Sequence, residues 1–170
     1  PDSLRAHLER HALEALVARA APEVARGAPP ARAAARDAWS RRIHQAITAT
    51  ELDEALRDAL AAAARPLLER GPVVVRSSAV GEDSASESYA GQLDSFLHVA
   101  DLAGVEHALR ACWASCWSAR ALAYRAARGL PSGGMSVIVQ QQVNPVAAGV
   151  MFTRASDDSI VIEFVAGLAD

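Results

Sequence analysis

VVVRSSAVGEDSASESYAGQLDSFLHV, residues 73–99, is the stretch that decides the fold. Three valines predict a strand, which leads directly into Arg76. Small and polar residues follow, and the apolar-rich run LDSFLHV (93–99) predicts a second strand. Because the residues between the strands are small, a ligand could approach the main chain closely there. The stretch therefore indicates two strands joined by a loop that could bind a ligand.

Arg76 makes phosphate the first ligand to consider. Arginine presents a planar fork of donors and keeps its charge, while backbone N–H groups and hydroxyls can satisfy the other phosphate oxygens. Gly91, with Gln92, Asp94 and Ser95 at the start of the second strand, would add polar groups. The sequence lacks G-x-x-x-x-G-K-S/T, so this is not a Walker A loop. A surface loop with a solvated arginine stays open as the alternative.

Composition limits the classes of protein that fit. The chain has 170 residues, 51% of them hydrophobic, which suits one domain with a real core. A net charge of -3 and a pI near 6.0 give no reason to expect nucleic acid as a partner. No apolar run approaches the roughly 20 residues of a membrane span, and no secretion signal opens the chain, so we expect a cytoplasmic protein. All of its basic residues are arginine, and it begins at Pro1, as an excised piece would.

Periodicity predicts an α+β pattern, with helices first and then strands on either side of one long helix. A Thr48–Glu51 capping box is expected to start the helix before Gly71. Cys112 and Cys116, four residues apart, are predicted core residues. Helices are predicted over 2–20, 31–49, 52–70 and 105–129, and further strands over 135–140, 148–153 and 159–165, the last two joined by the hairpin loop RASDD.

The 73–99 stretch resembles the ATP-binding region of the phosphoenolpyruvate synthase and pyruvate phosphate dikinase family, with its V-R-S-S-A-x-x-E-D and A-G-Q-x-x-S/T-x-L patterns. The resemblance continues through CWASCWSARALAYRAARG, SVIVQQQVNPVAAGVMFT and AGLAD. Rifampin phosphotransferases and ATP-grasp ligases share this region. The implied fold is an incomplete ATP-grasp-like lobe, α+β, with a mixed or antiparallel sheet and flanking helices. It would occupy 71–170 as the nucleotide-binding lobe, after a helical N-terminal segment at 1–70.

The resemblance also implies roles for single residues. Arg76 would bind the ATP phosphates and act catalytically by stabilising charge during phosphoryl transfer. Arg120 and Arg125 match two family arginines, for which a surface or salt-bridge role stays equally open. The remaining ATP-binding positions are a glycine loop over the phosphates (Gly91, Gln92, Leu93, Asp94, Ser95) and a segment along the adenine (Gln140, Gln142, Val143).

Several family features have no counterpart in this sequence. The N-terminal G-G-K lysine is missing, and the family's acidic metal-binding residues, its phosphohistidine domain and its second-substrate domain lie outside these residues. We therefore assign no residue to a metal, and we predict a turn role for Glu82 and Asp83. The five histidines are predicted to be surface or packing residues. Gln142 stands where methionine is common in the family, so the adenine pocket should differ.

The function implied is the ATP-binding part of a phosphotransferase. ATP with Mg²⁺ would phosphorylate a histidine on a separate swivelling domain, which would carry the group to a second substrate on another domain. The segment alone should be inactive, and neither nucleic acid nor a membrane is an expected partner. An ATP-grasp ligase, a drug phosphotransferase and a non-catalytic nucleotide-binding module stay open as alternatives. The second substrate and the oligomeric state cannot be read from the sequence.

Overall fold

The computed structural model describes residues 2–26, 28–79, 93–129, 134–152 and 159–168. The predicted α+β class is confirmed, with helices first and antiparallel strands around the later helices. The helices are α1 (Asp2–Arg10), α2 (Glu14–Val24), α3 (Pro29–Thr48), α4 (Glu54–Leu68), α5 (Leu102–Ser115) and α6 (Ala119–Arg128). The strands are β1 (Val73–Ala79), β2 (Ser95–Val99), β3 (Met135–Gln141), β4 (Ala147–Phe152) and β5 (Val161–Ala166).

Two of the predicted N-terminal helix boundaries are wrong. The helix predicted over 2–20 is interrupted at Ala12, whose φ of 53° is left-handed and cannot continue an α-helix. The Thr48–Glu51 capping box does not form, because the Thr48 hydroxyl donates to the His44 carbonyl inside α3. Asp53 caps α4 instead, and its carboxylate accepts the N–H groups of the second and third helical residues.

The single helix predicted over 105–129 is also wrong, since the chain turns between α5 and α6. The N–H groups of residues 116 to 118 donate to carbonyls three residues earlier, which tightens the end of α5. The Ser118 hydroxyl then accepts the N–H of Ala121 and starts α6. The direction of every α6 side chain follows from this turn and not from the periodicity of α5.

The first sheet has the strand order β2-β1-β3, and both of its pairings are antiparallel. The central strand β1 continues past the three valines to Ala79, so Arg76 lies within the strand and not at its end. In register, Arg76 is opposite Ser95 on one side and Ile138 on the other. The predicted hairpin pairing is confirmed in a second sheet, where β4 pairs with β5, while the RASDD loop lies outside the described residues.

Two buried clusters hold these elements together. The first cluster joins α1, α2 and α3 to α5, α6 and the start of β3, through residues such as Ile43, Ile47 and Trp113. The second cluster packs α4 and α5 against one face of the first sheet, through Val73 and Val75. Cys112 and Cys116 are buried thiols, as predicted. Within the described residues, no helix is both long and apolar enough to cross a membrane.

Candidate functional site

The face of the first sheet that points away from the helices is mostly exposed, although Val74 on it is buried, and we call it the open face. Side chains alternate along a strand, so Val73 and Val75 point into the second cluster and Arg76 points outward. Neighbouring strands lie about 4.8 Å apart, and directly opposed residues share a face. The open face is formed by exposed residues of all three strands: Arg76 on β1, Ser95 and Leu97 on β2, and Ile138 and Gln140 on β3.

Arg76 is the charged group at the centre of the open face. None of the ion pairs among the described residues includes it, whereas other arginines of the chain are paired with Asp or Glu. Its backbone is fixed because β1 is hydrogen-bonded to a strand on each side. A guanidinium held in this way presents its donors outward and can bind an anion without first breaking an internal salt bridge. Arg76, the residue predicted to bind phosphate, therefore lies on an accessible surface.

The structure describes only part of the segment predicted to bind phosphate, Gly91 to Ser95. Gly91 and Gln92 lie outside the described residues, and the Leu93 side chain packs against the first cluster. The Asp94 carbonyl accepts the Ser77 N–H at 3.3 Å and the Ser77 hydroxyl at 2.9 Å. This double contact ties the end of the segment to β1. Ser95 is consequently held opposite Arg76 on the open face.

Arg120 and Asp94 form an ion pair at the start of α6, with about half of the Arg120 side chain exposed. In this structure the Arg120 guanidinium therefore contacts the Asp94 carboxylate directly. The same carboxylate borders a pocket on the helical side, which sequence reasoning missed because its walls come from distant parts of the chain. That pocket is lined by Ser40, Arg41, His44, Asp94, Ser115 and Ser118, among others.

Arg125 lies inside the protein, only 7% exposed. Burial raises the pKa of the nearby Cys116 thiol to about 12, and the positive charge of Arg125 opposes that rise. The surface role that stayed open for Arg125 is thereby excluded, because the turn at 116–118 directs α6 toward α2 and α3. The structure does not bring Arg125 to the open face.

The predicted adenine segment leaves the sheet at the end of β3. Gln140 is exposed on the open face, level with Val74 of β1, and the Val143 side chain is 72% exposed. Gln142, in contrast, is only 9% exposed, and its N–H donates to the Pro72 carbonyl. Its side-chain amide is bonded to His98. Gln142 can therefore offer a ligand its carbonyl, but not its N–H.

The described residues do not fit a Mg²⁺ site. Magnesium in nucleotide sites is held by carboxylates together with phosphate oxygens. No group of three or more His, Cys, Asp or Glu side chains converges anywhere in the described part of the chain. Asp94, next to Ser95, is already paired with Arg120. Glu82 and Asp83, for which a turn role was predicted, lie outside the described residues.

Comparison with known proteins gives three similar relatives. Phosphoenolpyruvate synthase of Aeropyrum pernix is 37% identical over 139 residues, which are 75% of this chain and 17% of that protein. A probable phosphoenolpyruvate synthase of Staphylothermus marinus is 43% identical over 108 residues, 60% of this chain and 13% of its own length. Rifampicin phosphotransferase of a Streptomyces species is 37% identical over 114 residues, 66% of this chain and 13% of its own length.

The chain thus spans 13 to 17% of the length of these three relatives. A family model described as pyruvate phosphate dikinase, AMP/ATP-binding domain, matches residues 2–170. The match confirms the resemblance seen at 71–170 and extends it over the N-terminal helices. The chain belongs to the pyruvate phosphate dikinase AMP/ATP-binding domain family.

Proposed function

We propose that the chain is the ATP-binding part of a phosphotransferase and that it holds ATP on the open face. The observation that carries the proposal is the exposed guanidinium of Arg76, which no described acidic residue neutralises, directly opposite Ser95. Arg76 would bind the phosphates and stabilise the charge that develops during phosphoryl transfer. Ser95 would donate its hydroxyl to a phosphate oxygen. These roles require no movement of the sheet.

The proposed nucleotide runs along the sheet from the end of β3 toward Arg76. Gln140 lies level with Val74, two residues before Arg76, and two residues of a strand span about 6.7 Å. The base would lie beside Gln140 and the exposed Val143, and the phosphates beside Arg76 and Ser95. Gly91 and Gln92, which lie outside the described residues, would supply further contacts to the phosphates. Arg120 would reach the phosphates only after leaving Asp94, so its contribution depends on that exchange.

The rest of the mechanism is proposed for the full-length protein. The phosphoryl group would pass from ATP to a histidine on a separate swivelling domain and then to a second substrate on another domain. Mg²⁺ would have to be held by carboxylates beyond the described residues. We also propose an ATP-grasp-like fold with 71–170 as the nucleotide-binding lobe and 1–70 as its helical support. A cytoplasmic location, where ATP is supplied, is part of the same proposal.

Arg76→Ala in the full-length protein is expected to raise the Kd for ATP about 10- to 100-fold. A hydrogen bond to a charged group is worth about 1.5–3 kcal/mol, and each 1.4 kcal/mol is tenfold in affinity. Isothermal titration calorimetry measures the change, with circular dichroism to verify folding. Arg5→Ala is the matched control, because Arg5 is an exposed arginine on α1, and it should leave the Kd unchanged. If Arg76→Ala and the wild type bound ATP with equal affinity, the proposal would be contradicted.

Product analysis tests the class of reaction. The full-length protein, incubated with ATP and Mg²⁺ and no second substrate, is expected to release one AMP and, with uptake of water, one phosphate per active site if it works as a dikinase-type phosphotransferase, while the remaining phosphoryl group stays on the histidine. Chromatographic separation of the nucleotides measures the outcome, and Arg76→Ala should slow the release. ADP as the nucleotide product would favour the ATP-grasp ligase reading instead. An intact ATP pool in the presence of tight ATP binding would identify a non-catalytic module.

A further inference from the structure

A bulge in β2 places His98 in an unusual backbone conformation. Val73 is opposite Val99 and Val75 is opposite Phe96, so Leu97 and His98 together face the single residue Val74. The φ angle of His98 is 56°, in the left-handed region that few non-glycine residues occupy. A residue held there needs its neighbours to compensate for the strain. In this structure the compensation comes from β3, on the far side of β1.

Gln142 makes two hydrogen bonds to His98. The His98 N–H donates to the Gln142 side-chain carbonyl at 2.6 Å, and the Gln142 amide nitrogen lies 2.8 Å from Nδ1 of the His98 ring. The first bond requires the amide oxygen to face the backbone, so the amide N–H must face Nδ1, which accepts. The two bonds therefore fix both the amide orientation and the ring tautomer, with the ring proton on Nε2. We call this pair the His98–Gln142 clamp.

The clamp joins the outer strands of the sheet across β1. The Gln142 N–H donates to the Pro72 carbonyl at 3.1 Å, and the Gln141 side chain donates to the same carbonyl at 2.9 Å. Gln142 alone connects the residue before β1 with the bulge of β2, whereas the Gln141 side chain reaches only Pro72. Immediately beyond this connection the chain exposes Val143, beside which the proposed site holds the base. The direction in which residue 143 leaves the sheet depends on the clamp.

We propose that the His98–Gln142 clamp is a positioning element for the base end of the nucleotide site. This inference rests on the proposed function, and it assigns to Gln142 a role other than direct contact with ATP. The side chain is 9% exposed and both of its polar atoms are bonded to His98, so it acts through the backbone that it fixes. Arg76 lies at the middle of β1, four residues after Pro72, and does not take part in the clamp. Base binding and phosphate binding should consequently be separable.

The test compares ATP with inorganic tripolyphosphate, which has the phosphates but no base. In the full-length protein, Gln142→Met keeps the length of the side chain and removes both bonds. It is expected to raise the Kd for ATP roughly tenfold, the scale of one or two neutral hydrogen bonds, and to leave the Kd for tripolyphosphate unchanged. Gln141→Met is the matched control, because it removes only a bond to Pro72, and both Kd values should stay within about twofold of the wild type.

Gln142→Glu provides the rescue. A carboxylate can accept the His98 N–H with one oxygen and a ring proton moved to Nδ1 with the other, so the Kd for ATP should return to within about threefold of the wild type. An equal rise for ATP and tripolyphosphate in Gln142→Met, or no rise for either, would overturn the clamp's role while leaving Arg76 as the phosphate ligand. Failure of Arg76→Ala to weaken tripolyphosphate binding would instead contradict the proposed function itself.

Discussion

Replacing Trp113 with alanine is expected to lower the free energy of unfolding by about 3–5 kcal/mol, the usual cost of removing a buried aromatic side chain. Trp113 is 2% exposed in the first cluster, and the centroid of its ring lies 5.1 Å from that of His7. Its loss leaves a cavity where α1 and α3 meet α5. Hydrogen exchange of α3 and α5 amides in the full-length protein, read by mass spectrometry, measures the opening free energy of this region without unfolding the rest.

Two further variants set the scale for Trp113. Trp113→Phe keeps most of the apolar volume and should cost clearly less than the alanine variant. Leu97→Ala, on the open face where that side chain is already 36% exposed, should cost less than about 1 kcal/mol because it leaves no closed cavity. If Trp113→Ala protected the α5 amides as well as the wild type does, the packing of the first cluster would have to be different from the one described.

Acidification from pH 7 to pH 4 is expected to cost about 3 kcal/mol through His7 alone. Burial, assisted by the charges of His11 and Arg110, lowers the pKa of His7 from its ordinary 6.5 to about 4. The folded protein therefore holds His7 neutral, and the unfolded chain takes up its proton first as the pH falls. The free energy of unfolding therefore keeps its full value above pH 6.5. Between pH 6.5 and pH 4 it falls by about 1.4 kcal/mol for each pH unit.

His7→Gln separates this effect from general acid destabilisation. Glutamine can keep a hydrogen bond to the Thr50 hydroxyl, which now lies 2.8 Å from the ring of His7, but it cannot take up a proton. The variant should lose about 3 kcal/mol less than the wild type between pH 7 and pH 4, as measured by exchange of α1 and α3 amides corrected for intrinsic rates. His107→Gln, an exposed position on α5, should keep the wild-type pH profile. Parallel profiles for His7→Gln and the wild type would contradict a buried neutral His7.

The strands and the hairpin of β4 and β5 were predictable because alternation and turn residues encode them locally, whereas the pairing of β1 with β3 is long-range and was not predicted. The apolar runs at 73–75 and 135–140 became neighbours in one sheet, and 148–153 and 159–165 became a hairpin. Alternation also places Arg76 outside as soon as Val75 is assigned to the core. What the three valines alone could not indicate is that the strand continues through four more residues, because Arg76 and the serines are bonded by neighbouring strands that lie elsewhere in the sequence.

The errors concern places where one hydrogen bond decides between alternatives. Ser118 and Asp53 both start helices by capping, and each competes with an equally plausible signal nearby, namely uninterrupted periodicity for Ser118 and Thr48 for Asp53. Arg125 is buried because a new helix starts at Ser118, which the uninterrupted periodicity did not indicate. The link between His98 and Gln142 has no local signal at all, because 44 residues separate the partners and the link depends on a bulge.

The hairpin of β4 and β5 has a consequence for the behaviour of the chain in solution. Phe152, Ile162 and Phe164 are 52%, 62% and 75% exposed, and β5 has no buried residue on either of its faces. Among the described residues, β4 and β5 pair only with each other. A two-stranded ribbon of this kind is marginal in water, and unpaired strand edges can recruit further strands. Handled as 170 residues, the chain should therefore precipitate or form cross-β aggregates as its concentration rises. The storage stability of the purified chain would then be limited by aggregation through this ribbon and not by the well-packed helices.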